Sequence, residues 1–185
     1  MAGLSKSRII AHLQCPRRLW LQINKPELQI VDVSQQARMD AGNVVGDLAR
    51  HQYPNGLLID GADLGQAIED TASQLAKSKR LPVFEATFKQ DGVLVRNDLL
   101  LPVKGGYHLA EVKSSTQVKD YHLNDVAIQA YVTEQAGVSL SRISVVHIDN
   151  SFVYPGSRNY TGLFTPVDVT EKARQLIPLV PEWIK

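Results

Sequence analysis

The sequence predicts an α/β fold in which helices flank a mixed central β-sheet. Two segments with the 3.6-residue periodicity of amphipathic helices come first, and three strand-like segments joined by short turns follow. A further helix then leads to an apolar, β-branched strand, which gives the order α-α-β-β-β-α-β. With 185 residues, 44% of them hydrophobic, the chain can bury a substantial core, and we expect a single domain over residues 1–185.

Residues 1–33 are predicted to form a basic N-terminal segment. Its first 26 residues contain no acid, and a short helix is expected there, capped by Ser5 or Ser7. The five basic residues of this stretch are Lys6, Arg8, Arg17, Arg18 and Lys25. Two interpretations fit: a solvated basic helix, or a face that contacts the phosphates of a nucleic acid.

The two core helices are predicted over residues 34–51 and 63–79. The apolar stripe of the first consists of Ala37, Ala41, Val44, Val45 and Leu48. Gly42 and Gly46 lie beside that stripe, and each lowers helix propensity by up to ~1 kcal/mol, so we expect them to permit close approach of another backbone. The second helix has Asp63 as its N-cap and Gln66 at the third helical position. Its apolar stripe consists of Leu64, Ala67, Ile68, Ala72 and Leu75.

Three strands are predicted at residues 81–89, 93–103 and 106–114, where turn signals favour an antiparallel meander. A helix over residues 121–135 and a strand over 143–149, expected near the centre of the sheet, complete the core at residues 34–150. Residues 151–185 are predicted to add an edge strand at 163–167 and a final helix capped by Thr170 and ended by Pro178.

The residues with most chemical potential are Asp98, Glu111 and Lys113. Glu111 and Lys113 are two apart, so they share one strand face, and Asp98 lies across a hairpin from them. Converging carboxylates form a hard oxygen site suited to Mg²⁺ or Mn²⁺, and a neighbouring lysine can orient water or stabilise charge on a phosphate. The alternative is an exposed strand face with ordinary ion pairs, Glu111 with Lys113 and Asp98 with Arg96. Both acids interrupt apolar runs, and this favours a site, because a buried carboxylate needs a partner.

The helix over residues 121–135 is apolar almost all round, apart from one narrow polar stripe. That stripe consists of His122, Asp125, Gln129 and Thr133. Such a stripe on a buried helix is expected to line a polar cleft, although a strip of ordinary surface is the alternative.

These segments together resemble the PD-(D/E)XK nuclease superfamily. The likeness lies in FEATF around Glu85, VRNDLLL around Asp98, EVK from Glu111 and DVAIQAY around Gln129. Within that superfamily the chain is similar to RecB-type and CRISPR-associated adaptation exonucleases, and to an uncharacterised bacterial family with the same SKS…CPRRLWL opening. The resemblance implies a restriction-endonuclease-like α-β-β-β-α-β core.

The resemblance also implies roles for individual residues. Asp98 and Glu111 would bind the metal together with the Val112 carbonyl, Lys113 would complete catalysis, and Gln129 would organise the site. Asn97 stands where the name-giving proline would be, and Gly46 stands where RecB-type nucleases often carry a metal-binding histidine. Glu85 is the candidate for an additional metal ligand that would replace that histidine. Thr133 occupies the position where the helical pattern usually has tyrosine.

Cys15 matches the first of four cysteines that hold an iron–sulfur cluster in the adaptation nucleases. It is the only cysteine of this sequence, so we expect no iron–sulfur cluster and a buried, structural Cys15. Two explanations stay open: the chain is a truncated form that has lost the C-terminal cysteines, or the lineage has dropped the cluster. Trp20 and Trp183 are interpreted as packing residues.

The expected function is a Mg²⁺- or Mn²⁺-dependent hydrolase of DNA phosphodiester bonds, an exonuclease by resemblance. Arg8, Arg17, Arg18 and Ser114 are the expected nucleic-acid-binding residues. Two alternatives are kept: a non-catalytic nucleic-acid-binding or assembly module with the same fold, and a purely structural domain. A location in the cytoplasm, away from membranes, is expected because no apolar run approaches ~18 residues and no secretory signal is present.

Overall fold

The computed structural model describes residues 4–29 and 33–185. The chain starts with a two-residue strand, β1 (Leu4–Ser5), and two helices, α1 (Lys6–Gln14) and α2 (Pro16–Asn24). Ser5 is the N-cap residue of α1, as predicted, but its side chain makes no capping hydrogen bond. The sequence predicts neither β1 nor α2. Pro16 opens α2, which suits a proline because the first turn of a helix needs no backbone donor.

Helix α3 (Val33–Arg50) is present as predicted, but the predicted stripe is only partly correct. Among the described side chains of the helix, Val45 of the stripe and Ala49 outside it are the buried apolar residues, whereas Val44 is 56% exposed. The difference arises because α3 covers the sheet with only its C-terminal half.

Helix α4 (Leu64–Leu75) follows a short strand, β2 (Leu57–Leu58). Asp63 caps it as predicted, since its Oδ1 accepts hydrogen bonds from the backbone N–H groups of Gly65 at 2.8 Å and Gln66 at 3.2 Å. The helix ends four residues earlier than predicted, and Leu64 of the predicted stripe is exposed. Thr71 is buried instead, because its hydroxyl accepts a hydrogen bond from the Thr87 N–H at 2.9 Å.

The remaining elements form the sheet and its main helix. They are β3 (Val83–Gln90), β4 (Val93–Val103), β5 (Gly106–Lys113), α5 (Asp120–Gln135), β6 (Leu140–Ile148) and β7 (Phe164–Asp168). The strand order is β2-β3-β4-β5-β6-β7, and β1 pairs with β4. Strands β3, β4 and β5 form the predicted antiparallel meander, β5 and β6 are parallel, and β7 is the predicted edge strand. The prediction of an α/β fold with a mixed sheet is confirmed, although β6 is next to an edge strand and not at the centre.

The C-terminal residues form helices α6 (Thr170–Leu176) and α7 (Val180–Ile184), joined by a 3-10 turn. The predicted cap is wrong: Val169 is the N-cap residue, and the Thr170 hydroxyl accepts a hydrogen bond from the Ile143 N–H of β6. Pro178 does not end the helical region as predicted. It lies in the first residues of the 3-10 turn, where its missing N–H is not needed as a donor, and the chain continues into α7.

The hydrophobic core has one part on each face of the sheet. The larger part lies between the sheet and α5 and includes residues from both ends of the chain, such as Ile9 of α1 and Val180 of α7. The smaller part lies on the opposite face, near α3. It consists of Ala49, Phe84, Leu99, Leu101, Ala110 and Val146.

The alternation of side chains is broken at one point on β3 and one on β4. On β4, Val95 and Leu100 both pack in the larger cluster, although they are five residues apart, and Leu99 packs in the smaller one. Residues on one face of a regular strand are an even number apart, so β4 contains one extra residue between Val95 and Leu100. On β3, Glu85 has a positive φ of 56°, which is unusual for a residue with a side chain. Phe84 pairs with Leu99 and Ala86 pairs with Asn97, so Glu85 lies opposite Asp98 between these two pairs. Both irregularities therefore bring a carboxylate to the same place in the sheet.

No helix within residues 4–29 and 33–185 combines the length and apolar character needed to cross a membrane.

Candidate functional site

A cavity of about 840 Å³ lies between α3 and the sheet. The charged residues that line it are Asp47, Arg50, Asp60, Glu85, Arg96, Asp98 and Glu111. Five of these are acids and two are arginines, so the cavity carries a negative formal charge. A cavity of this character favours a cation, or a ligand that arrives with one.

Gly42 and Gly46 of α3 face this cavity. A Cβ added at Gly42 would have no atom within 4 Å, and one at Gly46 would meet only the Arg50 guanidinium at 4.0 Å. The expectation that another backbone approaches them closely is therefore wrong. Instead, the absence of side chains at these two positions keeps the cavity open.

Glu111 and Lys113 share one face of β5, as predicted. Lys113 Nζ lies 2.6 Å from Glu111 Oε1 and 2.5 Å from Asp125 Oδ2 of α5. Glu111 is only 2% exposed, so the alternative of an ion pair on an exposed strand face is wrong. The acid and the ammonium instead belong to a buried network, in which each charge depends on its partners.

The polar stripe of α5 supplies the other half of that network. Gln129 Nε2 donates hydrogen bonds to Glu111 Oε2 at 2.8 Å and to Asp125 Oδ1 at 3.1 Å. Further along the stripe, Thr133 accepts a hydrogen bond from Asn97 Nδ2 of β4 at 2.8 Å. All four stripe residues are buried, so the interpretation of an ordinary surface strip is wrong. None of them lines the cavity between α3 and the sheet, so the stripe belongs to a buried network and not to the wall of that cleft.

Lys6 is a member of this network that the sequence did not single out. Its Nζ lies 2.9 Å from Glu111 Oε1 and 2.9 Å from Asp125 Oδ1. β1 holds it in place, because Leu4 and Ser5 pair with Val93 and Leu94 at the edge of β4 that β5 leaves free. No local pattern could have indicated this contact, since Lys6 and Glu111 are 105 residues apart.

The network fixes the charge of its members. Burial alone would raise the pKa of Glu111, but Lys113, Lys6 and the Gln129 amide outweigh burial and hold that pKa below its ordinary value. Burial lowers the pKa of the Lys113 ammonium, and the attraction of Glu111 and Asp125 outweighs this, so the pKa is raised. The same balance raises the pKa of Lys6. At neutral pH, Glu111 is therefore ionised and both lysines are protonated.

Asp98 is in the opposite situation. Its Oδ2 accepts one hydrogen bond, from the Val112 N–H at 2.7 Å, and among the described residues it forms no ion pair, with Arg96 or any other base. Burial and then repulsion from Glu111 raise the pKa of Asp98 well above its ordinary value. Asp98 therefore lacks the cationic partner that Glu111 has, and its negative charge is disfavoured in the folded chain.

Glu85 lies opposite Asp98 but is already paired. Its Oε1 is 3.2 Å from Arg50 Nη1 and its Oε2 is 3.5 Å from Arg96 Nε. The carboxylate predicted as an additional metal ligand therefore already has two guanidinium partners in the cavity.

Candidate metal ligands are thus two carboxylates and one backbone carbonyl. In the described ranges, no three His, Cys, Asp or Glu side chains converge closely enough to hold an ion. Asp98 and Glu111 both line the cavity, and the Val112 N–H points toward Asp98. Since the N–H and C=O of one strand residue point to the same side, the Val112 carbonyl points there as well. Because Asp98 lacks a cationic partner and all three donors are oxygens, this donor set fits a hard divalent cation.

Other predicted site residues lie away from the cavity. Arg17 and Arg18 are exposed on α2, Arg8 is half-buried on α1, and Ser114 is exposed just after β5. The prediction of a buried Cys15 is wrong, because Cys15 is exposed at the junction of α1 and α2.

The prediction of packing for Trp20 is also wrong. Its side chain is 55% exposed, and no residue of α2 is buried. Trp183, in contrast, packs against the larger cluster as expected.

Neither a scan against protein-family models nor a search of curated proteins finds a match to this chain. What can be inferred about function therefore depends on the contacts of Asp98, Glu111, Lys113 and their partners.

Proposed function

We propose that this protein is a divalent-metal-dependent nuclease that hydrolyses DNA phosphodiester bonds. The observation that supports it most is that Asp98 and Glu111 both line one open, acidic cavity, while Lys113 Nζ lies 2.6 Å from Glu111 Oε1. The cavity of about 840 Å³ has the size of a small-molecule site and has room for a nucleotide and its phosphate.

Asp98, Glu111 and the Val112 carbonyl would hold Mg²⁺ or Mn²⁺. When bound, the ion supplies Lewis acidity toward the phosphodiester and makes water more acidic. It would also relieve the repulsion between Asp98 and Glu111 that raises the pKa of Asp98.

Lys113 acts as a hydrogen-bond donor in this proposal. Its raised pKa keeps it protonated at neutral pH, so it cannot remove a proton from water. A protonated amine can instead orient the attacking water by donation, or stabilise the extra negative charge that develops on the phosphate oxygens. Gln129 keeps the Glu111 carboxylate in place through its hydrogen bond at 2.8 Å.

Two arginines that line the cavity support a nucleic-acid substrate. Arg50 and Arg96 are paired there with Glu85, and guanidinium groups bind phosphates well. We further propose attack from DNA ends, which the resemblance to RecB-type exonucleases favours.

The test is cleavage of labelled linear single-stranded, linear double-stranded and closed circular DNA with Mg²⁺, Mn²⁺ or EDTA. We expect ion-dependent cleavage of the linear substrates, and a loss of about 10²–10³-fold in Lys113→Ala, as for removal of one charge-stabilising donor. The exposed Lys104→Ala is the matched control and should cleave normally. If the wild-type protein binds DNA yet cuts no substrate with either ion, the enzyme proposal fails and the non-catalytic binding module is correct.

A further inference from the structure

Lys6 gives this site a second ammonium group, brought from the opposite end of the chain. The inference drawn from it rests on the proposed function. The side chain of Lys6 is 20% exposed, and those of its partners Glu111 and Asp125 are 3% and 6% exposed. A buried ion pair is weak evidence for stability, because the cost of desolvation offsets the attraction, so the consequence of this contact is better sought in the charge of the site.

The position of Lys6 is fixed from both sides. Before it, Leu4 and Ser5 are paired with β4, and after it Ile9 of the same helix is buried in the larger core cluster. The backbone of Lys6 is therefore held beside the network by contacts on both sides.

The two lysines contact three of the six carboxylate oxygens of Asp98, Glu111 and Asp125. Asp125 Oδ1 is taken by Lys6 and Asp125 Oδ2 by Lys113, while Glu111 Oε1 contacts both ammonium groups. Glu111 Oε2 and the Asp98 carboxylate remain without a cationic partner among the described residues. These remaining oxygens suffice for one ion, and a second ion would need Asp125.

The charge balance leads to the same result. Asp98, Glu111 and Asp125 bring three negative charges against the two positive charges of Lys6 and Lys113, so the site carries one formal negative charge. One divalent cation reverses that charge to one positive, and a second would raise it to three positive within a buried network, which is strongly unfavourable.

We propose that Lys6 is a positioning residue that occupies the oxygens a second metal ion would need and so restricts this site to a single divalent cation. Lys6 itself touches neither the phosphate nor the ion; it acts through Asp125 and Glu111.

The test is a Mn²⁺ titration of the full chain after treatment with chelator, followed by calorimetry and by the electron paramagnetic resonance signal of free Mn²⁺. The wild-type protein should bind one ion per chain. Lys6→Met, which leaves Asp125 Oδ1 with only the Gln129 amide as a partner and removes a positive charge, should bind its first ion about tenfold more tightly and should take up a second ion. Lys6→Arg keeps the charge and should bind one ion, and Lys104→Met should match the wild-type protein.

A double variant guards against misfolding of Lys6→Met. Lys6→Met/Asp125→Asn removes one charge of each sign, so it restores the formal charge of the site and keeps Glu111 paired with Lys113. We expect it to bind one ion with an affinity within about threefold of wild type. Circular dichroism and thermal unfolding would establish that each variant is folded.

The outcomes separate this inference from the proposed function. Two ions per wild-type chain, or a folded Lys6→Met that binds Mn²⁺ as the wild-type protein does, would overturn the role of Lys6 and leave the nuclease proposal standing. If the wild-type protein and all variants fail to bind Mn²⁺ at millimolar concentration, the metal site itself is wrong and both proposals fail.

Discussion

Asp98 and Glu111 carry the same carboxylate group on neighbouring strands, yet their surroundings shift the two pKa values in opposite directions. Glu111 contacts two ammonium groups and one amide, and these keep it ionised. Asp98 contacts one backbone N–H and is repelled by Glu111. Two carboxylates with opposed pKa shifts in one cavity are typical of functional sites.

The first prediction concerns how much the buried Asp98 carboxylate destabilises the folded chain. The raised pKa of Asp98 means that its ionised form is less favourable in the folded chain than in the unfolded chain. At a pH above the ordinary pKa of aspartate, this difference lowers the free energy of unfolding. Asp98→Asn removes this repulsion and keeps an acceptor for the Val112 N–H. We expect its melting temperature at pH 8 in EDTA to rise by about 2–4 °C, measured by calorimetry.

The same variant should respond differently to metal. Mn²⁺ should raise the melting temperature of the wild-type protein, since a ligand of the folded state stabilises it, and should leave Asp98→Asn unchanged. Asp60→Asn, an exposed acid on the same cavity, is the control and should behave as wild type. A lower melting temperature of Asp98→Asn in EDTA would contradict the proposed repulsion.

The second prediction uses His108, which lies outside the cavity. Burial, with a smaller contribution from Arg142, lowers the pKa of His108 to about 4, and its Nε2 lies 2.7 Å from the Ser144 hydroxyl. Between pH 6.5 and 4 the unfolded chain binds a proton at this residue and the folded chain does not, so stability falls as pH falls. From pH 7 to 4.5 we expect His108 to remove about 2 kcal/mol from the free energy of unfolding.

Urea unfolding of wild type and His108→Gln at both pH values measures this effect. The variant should lose about 2 kcal/mol less than the wild-type protein over the same pH change. The exposed His12→Gln serves as the control and should show the wild-type pH dependence. Parallel pH profiles for His108→Gln and wild type would show that the histidine is protonated in the folded chain.

At this scale the sequence predicts contacts that follow from local geometry. Glu111 and Lys113 share a face because strand residues two apart always do, and the α5 stripe follows from helical periodicity. Lys6 could not be predicted, because its contact depends on a pairing between β1 and β4 that only the folded sheet creates.

Helix α3 illustrates how an element can be predicted correctly and interpreted incorrectly. Its periodicity gives a helix, but periodicity does not say which face meets the sheet and which meets a cavity. Gly42 and Gly46 line the cavity and contact no backbone. In contrast, a Cβ at Gly56 before β2 would lie 2.0 Å from the Phe84 ring, which is buried.

The third prediction compares these two kinds of glycine. Gly42→Ala should raise the free energy of unfolding by about 0.5–1 kcal/mol, because alanine is the better helix former and the added methyl group meets open space. Gly56→Ala should lower it by about 1–3 kcal/mol, because Phe84 must move within a packed cluster. Urea unfolding measures both, and a destabilised Gly42→Ala would mean that the helix packs more closely there.

Long elements could be predicted better than short ones. The bounds of β4 are as predicted and those of α5 differ by one residue, because each has a pattern of ten or more residues. Strands β1 and β2 have two residues each, too few for any period, and they exist only because β4 and β3 offer free edges.

Across the whole molecule, charge is distributed unevenly although the net formal charge is only +1. The cavity is acidic, whereas α1 and α2 carry basic residues and no acid. Within that basic segment Lys6 points inward to Glu111, and Arg17 and Arg18 of α2 are exposed. The same N-terminal segment thus contributes one charge to the site and others to the surface.

The fourth prediction is that binding and cleavage can be separated along this division. Arg17→Ala/Arg18→Ala should weaken DNA binding and reduce the slope of log K against log salt by about 1.5–2, because each arginine that contacts a phosphate displaces roughly one counterion. Hydrolysis of a small phosphodiester such as bis(p-nitrophenyl) phosphate should stay unchanged, since α2 does not line the cavity. Lys89→Ala/Lys172→Ala removes the same charge from exposed positions elsewhere and should keep the wild-type slope. If both double variants reduce the slope equally, DNA senses only the overall charge of the protein, and α2 is not its binding face.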